Sequence, residues 1–232
     1  MKNQNRELHI YIHIPFCVKK CLYCDFLSSS ASGWEQERYV KALKKEIEQE
    51  SRNYKDYLVT TIYFGGGTPS LLPGGWVEEI MDVVCCNYQI AENCEITLEA
   101  NPGTVSEEKL KAWKRAGINR LSIGMQSADN RELSALGRIH TSRDFFHTYQ
   151  MATKTGFDNI NVDLMAGLPG QGISSLQNTL MTTAGLTPAP AHISVYSLII
   201  EEGTPFYENE PADIPYEDTE REMYKMTGET LS

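Results

Sequence analysis

Three cysteines stand within eight residues of one another, at Cys17, Cys21 and Cys24. A Cys-x3-Cys-x2-Cys loop can supply thiolates to three irons of a [4Fe–4S] cubane, whereas ferredoxins fill all four iron positions with cysteine. No fourth cysteine lies near this loop, so one iron would keep an open position. The spacing therefore predicts a [4Fe–4S] cluster whose fourth iron can bind a small chelating molecule.

Two other interpretations of the cysteine loop fit less well. Zinc prefers four tetrahedral ligands, usually in paired short spacings. His13 could be recruited as a fourth ligand, but it lies in a predicted strand and no second cysteine pair follows. Three unrelated core cysteines are not expected in a polar loop directly after a strand. The other cysteines are Cys85 and Cys86, which are predicted to pack in the core from an apolar helix, and Cys94, which has no partner motif.

A run of glycines follows the next strand, in the segment Gly65-Gly66-Gly67-Thr68-Pro69. Glycines let backbone groups approach a ligand closely, although alone they often mark only a tight turn. Here the glycines come one strand–helix unit after the cysteines. We therefore interpret them as a backbone grip on the amino group of S-adenosylmethionine (SAM), whose amino and carboxylate groups can chelate an open iron.

The elements that must position these loops are six strands alternating with helices. The predicted strands are His9–Ile14, Thr60–Phe64, Glu95–Ala100, Arg120–Gly124, Asn159–Met165 and His192–Leu198. The predicted helices are 34–54, 75–88, 106–116, 129–136, 142–155, 174–186 and a segment from Tyr216 onward. This alternation predicts an α/β fold with a parallel sheet, a partial (β/α)6 TIM-like barrel. In such barrels the functional residues gather at the carboxyl ends of the strands.

The composition of the chain argues against several classes of protein. The chain has 232 residues, a net charge of −10 and an apolar fraction of 41 %. An acidic surface argues against a nucleic-acid partner, which would need a basic stripe. No run approaches the roughly 18 apolar residues of a membrane span, and the polar segment from Met1 to His9 has no apolar core of a secretory signal.

A set of motifs in fixed order resembles the radical SAM subfamily that contains the oxygen-independent coproporphyrinogen III oxidases. It covers nearly the whole chain, and its members fall at predicted strand ends. Besides the cysteine loop and the glycine run, the motifs are Tyr11-Ile-His-Ile-Pro-Phe-Cys17, Glu99-Ala-Asn-Pro-Gly103, Leu121-Ser-Ile-Gly-Met-Gln126, Leu136-Gly-Arg138 and Asp163-Leu-Met-Ala-Gly-Leu-Pro169. The resemblance implies a radical SAM barrel over residues 1–232, without the C-terminal region that follows in the family.

Within this subfamily the chain is most similar to the HemW-type heme chaperones. The cysteine loop continues Cys24-Asp25-Phe26, whereas the oxidases carry a further cysteine at the position of Phe26. The resemblance implies a protein that holds heme and delivers it to hemoproteins. The alternative is an enzyme, the oxygen-independent coproporphyrinogen III oxidase, which uses a SAM-derived radical for oxidative decarboxylation in heme biosynthesis.

The resemblance also implies which residues bind the cofactors. The cluster ligands are the three loop cysteines, and the SAM site comprises Tyr11, Tyr23, Gly66, Gly67, Thr68, Glu99, Gln126, Arg138, Asp163 and Ile199. Without the resemblance, Tyr11 would be interpreted as a core aromatic and Arg138 as part of a surface salt bridge. A buried carboxylate at Asp163 would be costly without a partner, and a ligand hydroxyl or ammonium is the expected one.

The same resemblance implies the binding partners of the protein. They are a heme or porphyrin, acceptor hemoproteins, an electron donor such as flavodoxin or ferredoxin, and a second copy of the chain in a homodimer. The expected location is the cytoplasm. If the acceptors are membrane hemoproteins, the protein is expected to be peripheral to the membrane. Among the five histidines, His140 lies on a polar loop and is the best candidate heme ligand in the barrel.

Overall fold

The computed structural model describes residues 6–231, so the first five residues of the polar N-terminal segment and Ser232 lie outside it. Six parallel strands form one sheet in chain order. The strands are β1 Arg6–Ile14, β2 Tyr57–Gly66, β3 Gln89–Ala100, β4 Arg120–Gln126, β5 Asn159–Ala166 and β6 His192–Ser197. Because each strand pairs with the next one in the chain, β1 and β6 are the two edges of an open barrel.

Helices follow each strand and cover one face of the sheet. They are α1 Gly33–Glu50, α2 Gly74–Asn87, α3 Glu107–Arg115, α4 Asn130–Ala135, α5 Ser142–Lys154, α6 Ile173–Ala184, α7 Pro205–Glu208 and α8 Glu217–Leu231. Right-handed crossovers between parallel neighbours place successive helices on the same side of the sheet. This arrangement confirms the predicted α/β fold, a partial (β/α)6 barrel.

The outer face of the sheet forms the apolar core with the helices. In β1 the buried Ile12 and Ile14 alternate with Tyr11 and His13, which turn to the other face. Strand side chains point alternately to opposite faces, so one face of each strand packs under its helix. Helix α5 begins with a capping box in which the Thr141 side chain accepts the backbone N–H of residue 144.

The inner face of the sheet, turned away from the helices, is polar. The rings of Tyr11 and Tyr63 stack with centroids 6.2 Å apart. Hydrogen bonds of 2.7 Å join Ser122 on β4 to both Asn161 and Asp163 on β5, and a bond of 2.8 Å joins Asn161 to Asp163. Closed TIM barrels fill this space with bulky branched side chains. A polar inner face instead leaves room and hydrogen-bonding groups for a ligand.

Helix α2 contradicts the prediction for its two cysteines. Val77, Ile80 and Val84 form the buried stripe of the helix, whereas Cys85 and Cys86 are exposed. The prediction was wrong because it used the apolar composition of the segment and not its helical phase. Cys94 is buried inside β3, which begins earlier than predicted. Within residues 6–231 no helix is both long and apolar enough to cross a bilayer.

Candidate functional site

A cavity of about 420 Å³ opens at the carboxyl end of the sheet. This volume lies within the range of roughly 300–1,000 Å³ that is typical of small-molecule and cofactor sites. All predicted site residues except Tyr11 and Ile199 line the cavity. The structure thus brings together predicted residues from strands β2 to β5, from the loop after α4 and from the cysteine loop.

The cysteine loop runs from Cys17 to Ser29 and is fixed at its base and in its middle. The Cys17 N–H donates to the Ser29 carbonyl at 3.0 Å, which closes the base of the loop. The Leu22 N–H donates to the Leu136 carbonyl, and the Leu22 carbonyl accepts from the Phe206 N–H, each at 3.0 Å. The backbone therefore holds the three thiols at the cavity before any ligand binds.

The three thiols suit a cluster better than a single metal ion. Cys17, Cys21 and Cys24 are all partly buried, without disulfides, and face one cavity. The Thr68 hydroxyl lies 3.4 Å from the Cys17 sulfur, and Arg138 Nη1 lies 3.9 Å from the Cys21 sulfur. Within residues 6–231 no three His, Cys, Asp or Glu side chains converge on one ion position. Thiols spread around a cavity, with hydrogen-bond donors beside their sulfurs, fit a polynuclear iron–sulfur centre.

The glycine run leaves no space for side chains where it borders the cavity. Gly66 has φ of +111°, and a Cβ there would lie 2.5 Å from the ring of His13. A Cβ on Gly67 would lie 2.8 Å from the Phe16 carbonyl oxygen. The Gly67 N–H donates to the Ile14 carbonyl at 2.9 Å. The end of β2 therefore presents bare backbone to the cavity, as the glycines predicted.

The carboxylate of Glu99 is half-buried on the cavity wall. Desolvation raises its pKa above the usual range, and the hydrogen bond from the Tyr63 hydroxyl, 2.8 Å long, partly opposes that shift. Burial, together with the charge of Glu99, raises the pKa of Tyr63 in turn. A partly desolvated carboxylate favours a hydrogen-bond donor or a cationic group of a ligand.

The raised pKa of Glu99 makes ligand affinity depend on pH. As the pH falls through this pKa the carboxylate is protonated and becomes a weaker acceptor, so SAM binding through its amino group should weaken at a pH where ordinary carboxylates are still charged. Glu99→Gln should bind SAM about 10-fold more weakly at pH 8, a loss of about 1.4 kcal/mol, and should lose this pH dependence. Calorimetric titration of the reconstituted protein with SAM between pH 8 and 5 measures both effects. An unchanged pH profile in Glu99→Gln would contradict this role.

Arg138 and Gln126 line the cavity beside Gly124. Arg138 Nη2 donates to the Gly124 carbonyl at 3.1 Å, while its Nε is buried and has no hydrogen-bond partner within residues 6–231. Gln126 has φ of +65°, which is rare for a residue with a side chain, and its Oε1 accepts from the Tyr196 hydroxyl at 2.9 Å. Arg138 is therefore not part of a surface salt bridge, and its free donor suits a carboxylate ligand.

Asp163 differs from its expected arrangement. Its Oδ2 accepts from the Ser122 hydroxyl at 2.7 Å, and its Oδ1 accepts from Asn161 Nδ2 at 2.8 Å. Asp163 lies in the middle of β5 and not at its end. Protein groups already satisfy this carboxylate, so its burial does not by itself require a ligand partner.

The remaining predicted SAM-site residues differ in their environments. Tyr23 lines the cavity, and burial raises the pKa of its hydroxyl to about 12. Tyr11 lies within β1, is 58 % exposed, and its hydroxyl is 3.0 Å from His13 Nδ1. Ile199 follows β6 and is 65 % exposed. Tyr11 is therefore not a core aromatic, and neither Tyr11 nor Ile199 lines the cavity.

The cavity residues outside the predicted set include four polar ones beyond the cysteine loop, Tyr63, Asn101, Ser122 and Tyr196. The sequence signal that could have found two of them is strand alternation. Tyr63 stands between the buried Ile62 and Phe64, which places it on the inner face. The same argument applies to Ser122 in β4, whereas Asn101 lies in the loop after β3.

A buried carboxylate behind the cavity connects the loops around it. Glu132 Oε2 accepts from Ser127 Oγ at 2.5 Å and from Gln171 Nε2 at 2.9 Å. Its Oε1 accepts from Ser175 Oγ at 2.5 Å. Gln171 Oε1 in turn accepts from the Gly167 N–H at 2.9 Å. These bonds fix the end of β4, helix α4 and the loop after β5 relative to one another.

His140 is buried, which corrects its description as a residue of a polar loop. Only 3 % of it is exposed. Its Nε2 donates to the Met125 carbonyl at 3.3 Å, and its Nδ1 is buried without a partner in the described part of the chain. Desolvation, with help from the charge of Arg138, lowers the pKa of His140 to about 4. It is therefore a poor candidate for a heme ligand.

The low pKa of His140 predicts a loss of stability in acid. The unfolded chain takes up this proton near pH 6.5 and the folded chain only near pH 4, so folding stability should fall as the pH drops from 6.5 to 4. The full contribution is about 3 kcal/mol for a pKa shift of this size. Urea unfolding of wild type and His140→Gln at pH 7.0, 5.5 and 4.5 measures it. The stability difference between the two proteins should change with pH over this window; a constant difference would contradict the assignment.

The chain is similar in sequence to proteins of a known family. Residues 11–182 match the family model of the radical SAM superfamily. The heme chaperone HemW of Escherichia coli (strain K12) is 38 % identical over 226 residues, which cover 97 % of this chain and 59 % of that protein. HemW of Bacillus subtilis (strain 168) is 38 % identical over 220 residues, covering 93 % of this chain and 58 % of that one. The chain therefore spans about three fifths of the length of these two relatives.

A solved structure has the same barrel fold as this chain. Coproporphyrinogen III oxidase from Escherichia coli, described as a radical SAM enzyme, superimposes with a TM-score of 0.88 at 26 % identity. The match covers 99 % of this chain and 53 % of the oxidase. The barrel of that enzyme and the barrel described here thus share one architecture over the length of the present chain.

Proposed function

Because the chain belongs to the radical SAM superfamily, we propose that it binds a [4Fe–4S] cluster and SAM and serves as a heme chaperone. Cys17, Cys21 and Cys24 are the cluster ligands in this proposal, and SAM occupies the cavity beside them. The observation that carries the cofactor proposal is a single cavity lined by three free thiols, bare glycine backbone and Arg138, whose buried Nε lacks a partner within residues 6–231.

Different residues of the cavity would bind different groups of SAM. The carboxylate of Glu99 would accept a hydrogen bond from the amino group of SAM, and the guanidinium of Arg138 would pair with the carboxylate of SAM. Gly66 and Gly67 would let their backbone approach the same end of the molecule. A cluster held by Cys17, Cys21 and Cys24 would supply the one electron, taken from an external donor, that reductive cleavage of SAM to methionine and a 5′-deoxyadenosyl radical requires. The chain itself orients the cofactors and limits the access of water.

Two findings favour a chaperone over an enzyme. The curated relatives at 38 % identity carry the name heme chaperone HemW. Phe26, 62 % exposed, stands at the rim of the cavity where the oxidase pattern has a further cysteine. Delivery of heme to hemoproteins is therefore the function that we infer for the protein.

The alternative function is oxygen-independent coproporphyrinogen III oxidation. Its support is the structural match to coproporphyrinogen III oxidase, which has a TM-score of 0.88. A cavity built to hold SAM serves both functions, so the cavity alone does not favour one of them.

Anaerobic reconstitution followed by two assays distinguishes the functions. The first assay titrates the protein with heme and then transfers it to an apo-hemoprotein, followed by absorption. The second measures turnover of coproporphyrinogen III with SAM and a reductant. Heme uptake and transfer without turnover supports the chaperone. Robust turnover would refute the chaperone proposal in favour of the oxidase.

Partners are proposed on the same basis. A one-electron donor of the flavodoxin or ferredoxin type would reduce the cluster, and the acceptors would be hemoproteins. The homodimer and the extent of the radical SAM barrel over residues 1–232 also remain predictions. Light scattering of the reconstituted protein tests the homodimer, because a dimer doubles the measured mass.

A further inference from the structure

The hydroxyl of Thr68 lies beside a thiol of the cysteine loop. Thr68 directly follows the glycine run, and its Oγ1 is 3.4 Å from the Cys17 sulfur. Both side chains are half-buried and line the cofactor cavity. While Cys17 carries its proton, either group can donate this hydrogen bond. A cysteine that ligates iron is a thiolate and only accepts, so the hydroxyl of Thr68 is the donor once a cluster is bound.

The Thr68 hydroxyl is not used to cap a helix. Thr68 precedes the short 3₁₀ helix Pro69–Leu71, a position where threonine often accepts a hydrogen bond from a backbone N–H. Its side chain makes no such bond, and its backbone carbonyl accepts from the Leu71 N–H at 2.9 Å instead. Within residues 6–231 the hydrogen-bond partner of the hydroxyl is Cys17. The single hydroxyl hydrogen is therefore available to the sulfur.

The backbone on both sides of Thr68 is fixed. Before it, the Gly67 N–H donates to the Ile14 carbonyl at 2.9 Å. After it, Lys109 Nζ donates to the Ser70 carbonyl at 2.8 Å. The branched side chain of threonine also has few allowed rotamers. The hydroxyl is therefore held beside the sulfur by the fold and does not need to be ordered when a cluster binds.

The other two thiols of the loop have hydrogen-bond donors that cannot be removed without other effects. Arg138 Nη1 lies 3.9 Å from the Cys21 sulfur, and the same guanidinium is the proposed partner of the SAM carboxylate. The backbone of Phe26 hydrogen-bonds to Cys24, and a change of side chain does not remove a backbone donor. Thr68 is therefore the donor whose effect on a cluster can be measured separately.

A hydrogen bond to a ligand sulfur affects how readily an iron–sulfur cluster is reduced. Reduction by one electron from an external donor adds one negative charge to the cluster, and the ligand sulfurs carry part of that charge. No bond forms or breaks in this step. A hydrogen-bond donor at the sulfur stabilises the reduced state more than the oxidised state, so it raises the reduction potential.

We propose that the Thr68 hydroxyl donates to the Cys17 thiolate and raises the reduction potential of the bound [4Fe–4S] cluster. The proposal rests on the proposed cluster binding and adds to it a residue that makes reduction more favourable. In this assignment the side chain of Thr68 acts on the cluster, whereas its backbone remains available to SAM. Thr68 acts through Cys17 and is not itself an iron ligand.

Anaerobic redox titration of matched threonine variants tests the proposal. Thr68→Val removes the hydroxyl and keeps the branched shape of the side chain. Its equilibrium constant for one-electron reduction should fall about 10-fold, which corresponds to a potential lower by ~59 mV. Thr68→Ala, a second variant without the hydroxyl, should show the same fall. Thr68→Ser keeps the hydroxyl and should keep the wild-type potential.

The titration uses reconstituted protein without SAM, with dithionite as the reductant and paramagnetic resonance to follow the reduced cluster. Iron content and SAM affinity, measured by calorimetry, should stay at the wild-type level in all three variants. Thr61→Val is the control for loss of a threonine methyl–hydroxyl pair on the same strand. The Thr61 hydroxyl lies 2.9 Å from His9 Nδ1, and Thr61 does not line the cavity, so this variant should keep the wild-type potential.

Several results would overturn the proposal. A wild-type potential in Thr68→Val and Thr68→Ala would show that the hydroxyl does not act on the cluster. Weaker SAM binding at an unchanged potential would assign the hydroxyl to SAM instead. A potential lowered equally in Thr68→Ser or in Thr61→Val would show an effect unrelated to the hydrogen bond. If wild type itself retained no iron after reconstitution, the proposed cluster binding would fail, and the role of Thr68 would fail with it.

Discussion

Replacing Cys21 with serine should abolish the cluster. The hydroxyl of serine is a poor ligand for iron compared with a thiolate, and two remaining thiols cannot hold a cubane whose fourth iron has no protein ligand. Reconstituted Cys21→Ser should contain less than about a tenth of the wild-type iron and lack the brown absorption. Iron and sulfide analysis, with absorption spectra, measures this loss. The fold should persist, because Cys21 is only partly buried and outside the core.

A matched control separates ligation from general thiol chemistry. Cys86→Ser changes an exposed cysteine on α2, far in sequence from the loop, and should leave iron content at the wild-type level. Stoichiometric iron in Cys21→Ser would show that the ligand assignment is wrong. Equal iron loss in both variants would indicate damage during reconstitution instead of ligand loss.

Gly66→Ala should have the second largest effect. An alanine would have to adopt φ of +111° and would place its Cβ 2.5 Å from the His13 ring. Such a backbone conformation costs about 1–3 kcal/mol for a residue with a side chain, and His13 must move as well. We expect lower stability and SAM binding at least 10-fold weaker, measured by urea unfolding and calorimetry.

Gly75→Ala is the control for Gly66→Ala. A Cβ at Gly75 meets no atom within 4 Å, and the residue lies in the first turn of α2. Exchanging a helical glycine for alanine should stabilise the protein by about 0.4–1 kcal/mol without changing SAM affinity. Wild-type stability and SAM affinity in Gly66→Ala would refute the role given to the glycine run.

Much of the site could be predicted because its signals are local. The three cysteines and the glycine run are contiguous in sequence, and each follows a strand that alternation predicts. Parallel strands bring their carboxyl ends to one edge, so residues far apart in the chain meet there. That geometry explains why Glu99 and Gln126 line the same cavity as the cysteines.

The environment of individual side chains could not be predicted in this way. His140 and Arg138 both lie in loops, where no periodicity indicates burial, and the structure buries the first and leaves the second with an unpaired Nε among the described residues. Asp163 meets Ser122, a residue 41 positions away, and no local pattern specifies that pair. Such contacts depend on the register between strands, which the sequence of one strand does not determine.

The backbone hydrogen bonds that fix the cysteine loop have a thermodynamic consequence. The Cys17 N–H bond to Ser29 and the two bonds of Leu22 order the loop when the protein folds. The conformational entropy of the loop is therefore lost when the protein folds. Little further entropy is lost when the cluster is inserted, so little opposes its insertion. Apo-protein should accordingly capture iron and sulfide as a rigid template, with cluster assembly limited by delivery of the ions and not by rearrangement of the chain.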